Sequence, residues 1–133
     1  MTQLPDGIEE ETSTKIRSQG PIDWSVLNAL KSIQKPGQPD VRKRLTDAYL
    51  FSAPELLKKA ASAIAVLDRD ALKREAHSLK SCSLAIGATQ LGAICYELEI
   101  LGGDNMLENT PSLLRRAEDE FVAVCSVIRK EME

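Results

Sequence analysis

Residues 74–88, Arg-Glu-Ala-His-Ser-Leu-Lys-Ser-Cys-Ser-Leu-Ala-Ile-Gly-Ala, have a clear helical pattern and contain the only histidine of the 133-residue chain. At 100° per residue, five positions fall within about 40° of one direction and form an apolar stripe: Leu72, Ala76, Leu79, Ser83 and Ile86. His77 lies about 140° from that stripe, among Lys73, Arg74, Lys80, Ser81 and Leu84. The pattern predicts a helix over about 69–86, ended by Gly87, with His77 in water.

Upstream, the apolar spacing predicts three further helices. The first extends from the capping residue Asp23 to Gln34. The second begins after Asp40 and is broken by Pro54, which then opens a third helix that continues to Leu67. The residues expected to face inward are Val26, Leu27, Leu30 and Ile33, then Val41, Leu45, Ala48, Tyr49 and Ser52, then Leu57, Ala60, Ala61, Ile64 and Leu67.

Downstream, a fifth helix over about 89–101 is expected to stop at Gly102-Gly103, and a sixth begins at Thr110-Pro111. No alternating strand pattern occurs in the sequence. We therefore expect an all-α fold, an antiparallel four-helix bundle with one or two additional N-terminal helices. Residues 1–20 are polar and are expected to form a flexible tail or linker, and residues 21–133 one helical domain.

The overall charge limits the classes of partner. The net charge is −3 and the isoelectric point about 5.3, which argues against binding of nucleic acid through a basic surface. The longest apolar run, 60–67, is too short to span a bilayer, and the acidic N-terminus does not resemble a signal peptide. We expect a cytoplasmic protein without direct membrane contact.

The sequence offers little support for a metal site or a hydrolase. Cys82, Cys95 and Cys125 lack metal-type spacing, and Cys95 and Cys125 fall on apolar stripes, as buried thiols do. A serine–histidine–acid triad would need a nucleophile held against His77; Ser81 lies one turn away, but no oxyanion hole is evident. There is no glycine-rich phosphate loop. We expect no metal and no cofactor.

The remaining chemistry for an exposed lone histidine is transient phosphoryl transfer. A neutral imidazole is a competent nucleophile near neutral pH. Lys80 at i+3 and Lys73 at i−4 can supply positive charge to phosphoryl oxygens. Ser81, on the same face, is small enough to let a partner approach.

The chain resembles the histidine-containing phosphotransfer (HPt) domains of phosphorelays. The family pattern, histidine-x-leucine-lysine-glycine followed by a Gly-Ala pair, matches residues 77–81 and then Gly87-Ala88. The likeness continues through Leu91, Cys95 and Leu98-Glu99, and upstream to Pro21-x-Asp23 and Phe51-x-x-Pro54-x-Leu56-Leu57, so that it covers roughly 21–128. One position departs from the pattern, because Ser81 stands where the family usually has glycine.

The resemblance implies that His77 is the phosphoacceptor and Lys80 the phosphate-stabilising lysine. The partners would be response-regulator receiver domains, which bring the aspartate, Mg²⁺ and lysine that catalyse transfer, and a hybrid sensor histidine kinase. The chain itself would be a monomeric carrier and not an enzyme, whether free-standing or the end of a hybrid kinase. Residues expected to contact the partner are Lys73, Arg74, Ser81 and Leu84.

Two alternatives stay open on the sequence alone. Glu99 either orients His77 or Lys80 or simply belongs to a polar groove. The domain either carries phosphate or docks receiver and kinase domains without phosphotransfer, an alternative that the Ser81 departure favours and the His77–Lys80 pair opposes.

Overall fold

Five α-helices and two short 3-10 segments make up the computed structural model, which describes residues 20–103 and 107–132. The helices are α1 (Trp24–Asn28), α2 (Val41–Ala65), α3 (Arg69–Ala85), α4 (Thr89–Gly103) and α5 (Thr110–Met132), and the 3-10 segments are Ala29–Ile33 and Leu107–Asn109. The predicted tail, apart from Gly20, lies outside the described residues. Helices α2 to α5 form the bundle: α2 and α4 each pack against both α3 and α5. The expected all-α bundle is confirmed, and the part of the chain that the structure describes has one additional N-terminal α-helix.

Helix α3 forms where the sequence predicts it. The Asp68 side chain caps its start by accepting a hydrogen bond from the Ala71 amide at 3.0 Å. All five stripe residues are buried, none more than 1% exposed. At its end the Gly87 amide donates to the Leu84 carbonyl and the Ala88 amide to the Ser83 carbonyl, the two bonds of a Schellman motif. The stripe therefore fixes which face of α3 is left for His77.

Helix α1 covers the turn between α3 and α4. The Asp23 amide donates to the Gly87 carbonyl at 2.8 Å, and Ile22 and Leu27 are fully buried. Gly87 has φ +88°, and a Cβ there would collide with the Asp23 carbonyl oxygen, so the turn requires glycine. The predicted first helix is too long: after Asn28 the chain tightens into the 3-10 segment, and Ile33, expected to face inward, is 61% exposed.

The predicted break at Pro54 is wrong, because Pro54 lies inside α2, which is a single helix of 25 residues. Pro54 removes one backbone donor and disfavours helix at the residue before it, at a cost of about 3 kcal/mol. It lies on the exposed face, and one buried stripe continues on both sides: Tyr49, Ala53, Leu57 and Ala60. Burial of that stripe outweighs the proline penalty. Two residues predicted to face inward, Ala48 and Ser52, are exposed.

The end of α2 also differs from the prediction. The helix stops at Ala65, and Leu67, predicted to face the core, is 69% exposed. The Asp68 amide donates to the Ala63 carbonyl and the Leu67 amide to the Ile64 carbonyl, a second Schellman motif. Leu67 occupies its left-handed position with φ +58°. A position that glycine usually fills therefore carries a strained leucine. Helix α4 extends to Gly103, two residues beyond the predicted end, and buries Gly102 against the α3 backbone.

A polar pair crosses the core. The Tyr49 hydroxyl lies 2.9 Å from the Ser83 hydroxyl, and both residues are buried. The Tyr49 ring also packs against Phe121 of α5, with ring centroids 5.8 Å apart, so Tyr49 ties α2 to both of its neighbours. Burial raises the pKa of Tyr49 well above its usual range.

The two Schellman turns predict opposite responses to substitution. Leu67→Gly should stabilise the fold by about 0.5–1 kcal/mol, since it relieves left-handed strain at an exposed side chain. Gly87→Ala should destabilise it by about 2 kcal/mol or more, because it adds strain and a collision with the Asp23 carbonyl. Urea denaturation of both variants measures the two effects. Destabilisation by Leu67→Gly would mean that Leu67 contributes packing that outweighs its strain.

Candidate functional site

The site is built by the register between two antiparallel helices, α3 and α4. Leu84 lies against Gly92, where a Cβ would come within 2.5 Å of the leucine Cδ2. Moving from there toward the start of α3, Lys80 is opposite Tyr96 and His77 is opposite Glu99. Gly92 lets the two helices approach, and the 3.6-residue period then brings these pairs to one face.

His77 stands at the centre of this face. Its side chain is 59% exposed, as predicted. Its Nδ1 lies 2.9 Å from Oε2 of Glu99. An ionised carboxylate can only accept, so we assign the imidazole proton to Nδ1, which donates to Glu99. The other nitrogen, Nε2, then carries the lone pair.

Lys80 lies between two side chains of α4. Its Nζ is 2.8 Å from Oε1 of Glu99 and 5.1 Å from the centroid of the Tyr96 ring, a cation–π distance. The Lys80 side chain is only 20% exposed. The ammonium is thus held one turn from His77.

Glu99 holds both residues, one with each carboxylate oxygen. The Lys80 ammonium beside it, as the largest cause, holds the pKa of Glu99 below its usual value; desolvation opposes this shift, and the His77 hydrogen bond adds to it. The carboxylate is therefore ionised throughout the neutral range. Of the two alternatives left open above, the structure supports orientation of His77 and Lys80.

The four predicted partner contacts lie on the same exposed side of α3. Lys73, Arg74 and Ser81 are exposed, and Leu84 is 45% exposed. Arg74 pairs with its neighbour Glu75 at 3.4 Å. The described contacts of His77 do not include Ser81, so the serine leaves the imidazole free.

Tyr96 is the site residue that the sequence analysis missed. The spacing could have indicated it. If Glu99 faces His77 on antiparallel helices, then Tyr96, three residues before Glu99, faces Lys80, three residues after His77. That inference needs the register between helices, which the pattern of a single helix does not contain.

The cysteines behave as predicted. Cys95 and Cys125 are buried, and Cys82 is half-buried. Burial raises the pKa of Cys95 to about 12, so its thiol is unreactive as a thiolate. Within residues 20–103 and 107–132, no three His, Cys, Asp or Glu side chains form a group that could hold a metal ion. No helix in this described part has the length and apolar character needed to cross a membrane.

Comparisons with known proteins agree on one family. Residues 44–131 match the Hpt domain. The crystal structure of histidine-containing phosphotransfer protein B (HptB) from Pseudomonas aeruginosa PAO1 superposes with a TM-score of 0.77 at 30% identity, covering 84% of this chain and 93% of that one. The phosphotransfer protein ZmHP2 from maize has a TM-score of 0.77 at 19% identity, covering 97% and 94%, which shows the shared fold. A search of curated proteins gave no match. The chain belongs to the Hpt domain family of histidine-containing phosphotransfer proteins.

Proposed function

We propose that His77 accepts a phosphoryl group from the aspartyl-phosphate of one receiver domain and passes it to the aspartate of another. Members of the family are phosphoryl carriers of phosphorelays, and the proposal adds the residue and the direction. One observation carries it: Nδ1 of the exposed imidazole lies 2.9 Å from the Glu99 carboxylate, beside a held lysine. With the proton assigned to Nδ1, the lone pair is on Nε2.

The transfer step balances without a proton leaving His77. The Nε2 lone pair attacks phosphorus, the N–P bond forms, and the bond from phosphorus to the aspartate oxygen breaks with its electron pair on the carboxylate. The imidazole keeps its Nδ1 proton and gains positive charge. The Glu99 carboxylate, hydrogen-bonded to that proton at 2.9 Å, stabilises this charge. The reverse sequence delivers the group to the second receiver.

Lys80 has a separate task in this proposal. Its ammonium compensates the charge of the phosphoryl oxygens once they are bound to Nε2. Because Lys80 is anchored on the same two helices as His77, the positive charge does not have to be assembled when the receiver arrives.

The partner domains supply what this chain is not expected to provide. The receiver contributes the aspartate, Mg²⁺ and a lysine, so this chain acts as a carrier, and a hybrid sensor histidine kinase feeds the relay. Lys73, Arg74, Ser81 and Leu84 surround His77 and form the proposed contact surface for a monomer. We infer a cytoplasmic location from these partners.

The phosphoacceptor is tested by substitution of His77. Incubation with a phosphorylated receiver and Mg²⁺ should label the chain with acid-labile, base-stable phosphate, and His77→Gln should abolish the label. The melting temperature should be nearly unchanged, because an exposed side chain contributes little to stability. Label on the His77→Gln variant would contradict the assignment, and receiver binding by an unlabelled parent chain would favour a docking module without phosphotransfer.

The role of Lys80 is tested against a matched lysine on the same helix. Lys80→Ala should slow transfer by about tenfold or more, since a charge-assisted contact to a partly desolvated group contributes about 1.5–3 kcal/mol. Lys73→Ala should slow transfer by less than Lys80→Ala does, because Lys73 is an exposed charge of the contact surface and not the lysine held beside the imidazole. Rapid-quench phosphotransfer from one receiver measures both. Equal small effects would mean that both cations form only a solvated face.

Substitutions of Ser81 test whether the receiver approaches His77 over this turn of α3. Ser81→Gly should match or exceed the parent transfer rate, at a helix-propensity cost of about 0.5 kcal/mol. Ser81→Ala should stay close to the parent because it removes only the hydroxyl, whereas Ser81→Phe should slow transfer at least tenfold, or about 1.4 kcal/mol of barrier. A strong loss in Ser81→Ala would assign a positive role to the hydroxyl. Tolerance of phenylalanine would mean that receivers do not approach over this turn.

A further inference from the structure

Lys80 is held from two sides, by a charge and by an aromatic ring. The charged contact is the ion pair from Nζ to Oε1 of Glu99 at 2.8 Å. The second is the face of Tyr96, with the ring centroid 5.1 Å from Nζ. Tyr96 is itself 52% exposed, and the described contacts of its ring are with Lys80 and not with His77. The described contact that links Tyr96 to the site is therefore the one with Lys80.

The two contacts respond differently when a phosphoryl group arrives on His77. Glu99 and the phosphoryl oxygens are both anionic acceptors, so they compete for the same ammonium. The Tyr96 ring is neutral and attracts the ammonium through its quadrupole, so it does not need to be vacated. An ammonium leaving Oε1 for the phosphoryl oxygens can stay against the ring.

We propose that Tyr96 is a positioning residue that keeps the Lys80 ammonium beside the phosphoryl group of His77. The proposal rests on the proposed roles of His77 and Lys80 and extends them to a residue on α4. The same register that aligns Glu99 with His77 aligns Tyr96 with Lys80, so the ring reaches Lys80 and has no described contact with His77.

The equilibrium constant of transfer separates positioning from docking. It compares the free phosphorylated and unphosphorylated chains, so contacts made only in the complex with a receiver cancel from it. Tyr96→Leu should shift the equilibrium toward the phosphorylated receiver by about twofold, which is less than the full cation–π contact because that contact is present in both states. The shift has this direction because the ring is the anchor that remains once the ammonium has left Oε1, so that its loss destabilises the phosphorylated chain more. Tyr96→Phe keeps the ring and should restore the parent value. Ile100→Ala, which truncates an exposed apolar residue on the same helix, should leave it unchanged.

A double-mutant cycle identifies the residue through which Tyr96 acts. Tyr96→Leu should have no effect on the equilibrium in a Lys80→Ala background. In nuclear magnetic resonance spectra, the Lys80 ε-methylene protons should show a ring-current shift in the parent and in Tyr96→Phe that is absent from Tyr96→Leu.

Three results would overturn the proposal: an unchanged equilibrium in Tyr96→Leu, an equal shift in the Lys80→Ala background, or no ring-current shift in the parent. Slower transfer with an unchanged equilibrium would place Tyr96 in the receiver contact instead, which also overturns it. A parent chain that takes no acid-labile phosphate would defeat the proposed function itself, and the spectra would still decide whether Tyr96 holds Lys80.

Discussion

The close approach of α3 and α4, with Leu84 seated against Gly92, is the constraint on which the site depends. It sets the register of two antiparallel helices, and the register sets which side chains meet. His77 and Lys80 come from one helix, and Glu99 and Tyr96 from the other. No loop contributes to this group of four, so its geometry is as rigid as the packing of the two helices.

Glu99 serves two purposes with one carboxylate. One oxygen fixes the tautomer and orientation of the imidazole, and the other holds the lysine. Its depressed pKa keeps it charged, so the network loses this stabilisation only in acid, as the pH falls through the lowered pKa. Since His77 and Lys80 share this carboxylate, the effects of substitutions at the two residues are expected to be non-additive.

The sequence predicts well the features that are determined within a single helix, and poorly those that are determined by the packing of two helices. The stripe from Leu72 to Ile86 placed His77 in water because burial of one face dictates the other. The predicted break at Pro54 is wrong because the local effect of proline is outweighed by the buried stripe that continues on both sides of it. The predicted burial of Leu67 is wrong because the helix ends two residues earlier, in a turn defined by backbone hydrogen bonds. Tyr96 was missed because interhelical register is a tertiary property, whereas Glu99 was noted only through the family likeness.

The Tyr49–Ser83 hydroxyl pair has an evolutionary consequence. Because both groups are buried and each is satisfied by the other, loss of one hydroxyl leaves a partner without a hydrogen bond, at a cost of about 1–3 kcal/mol. Loss of both, to phenylalanine and alanine, leaves an apolar core of nearly the same shape and can be close to neutral. Relatives should therefore keep or lose the two hydroxyls together, and positions 49 and 83 should covary although 34 residues separate them in the chain.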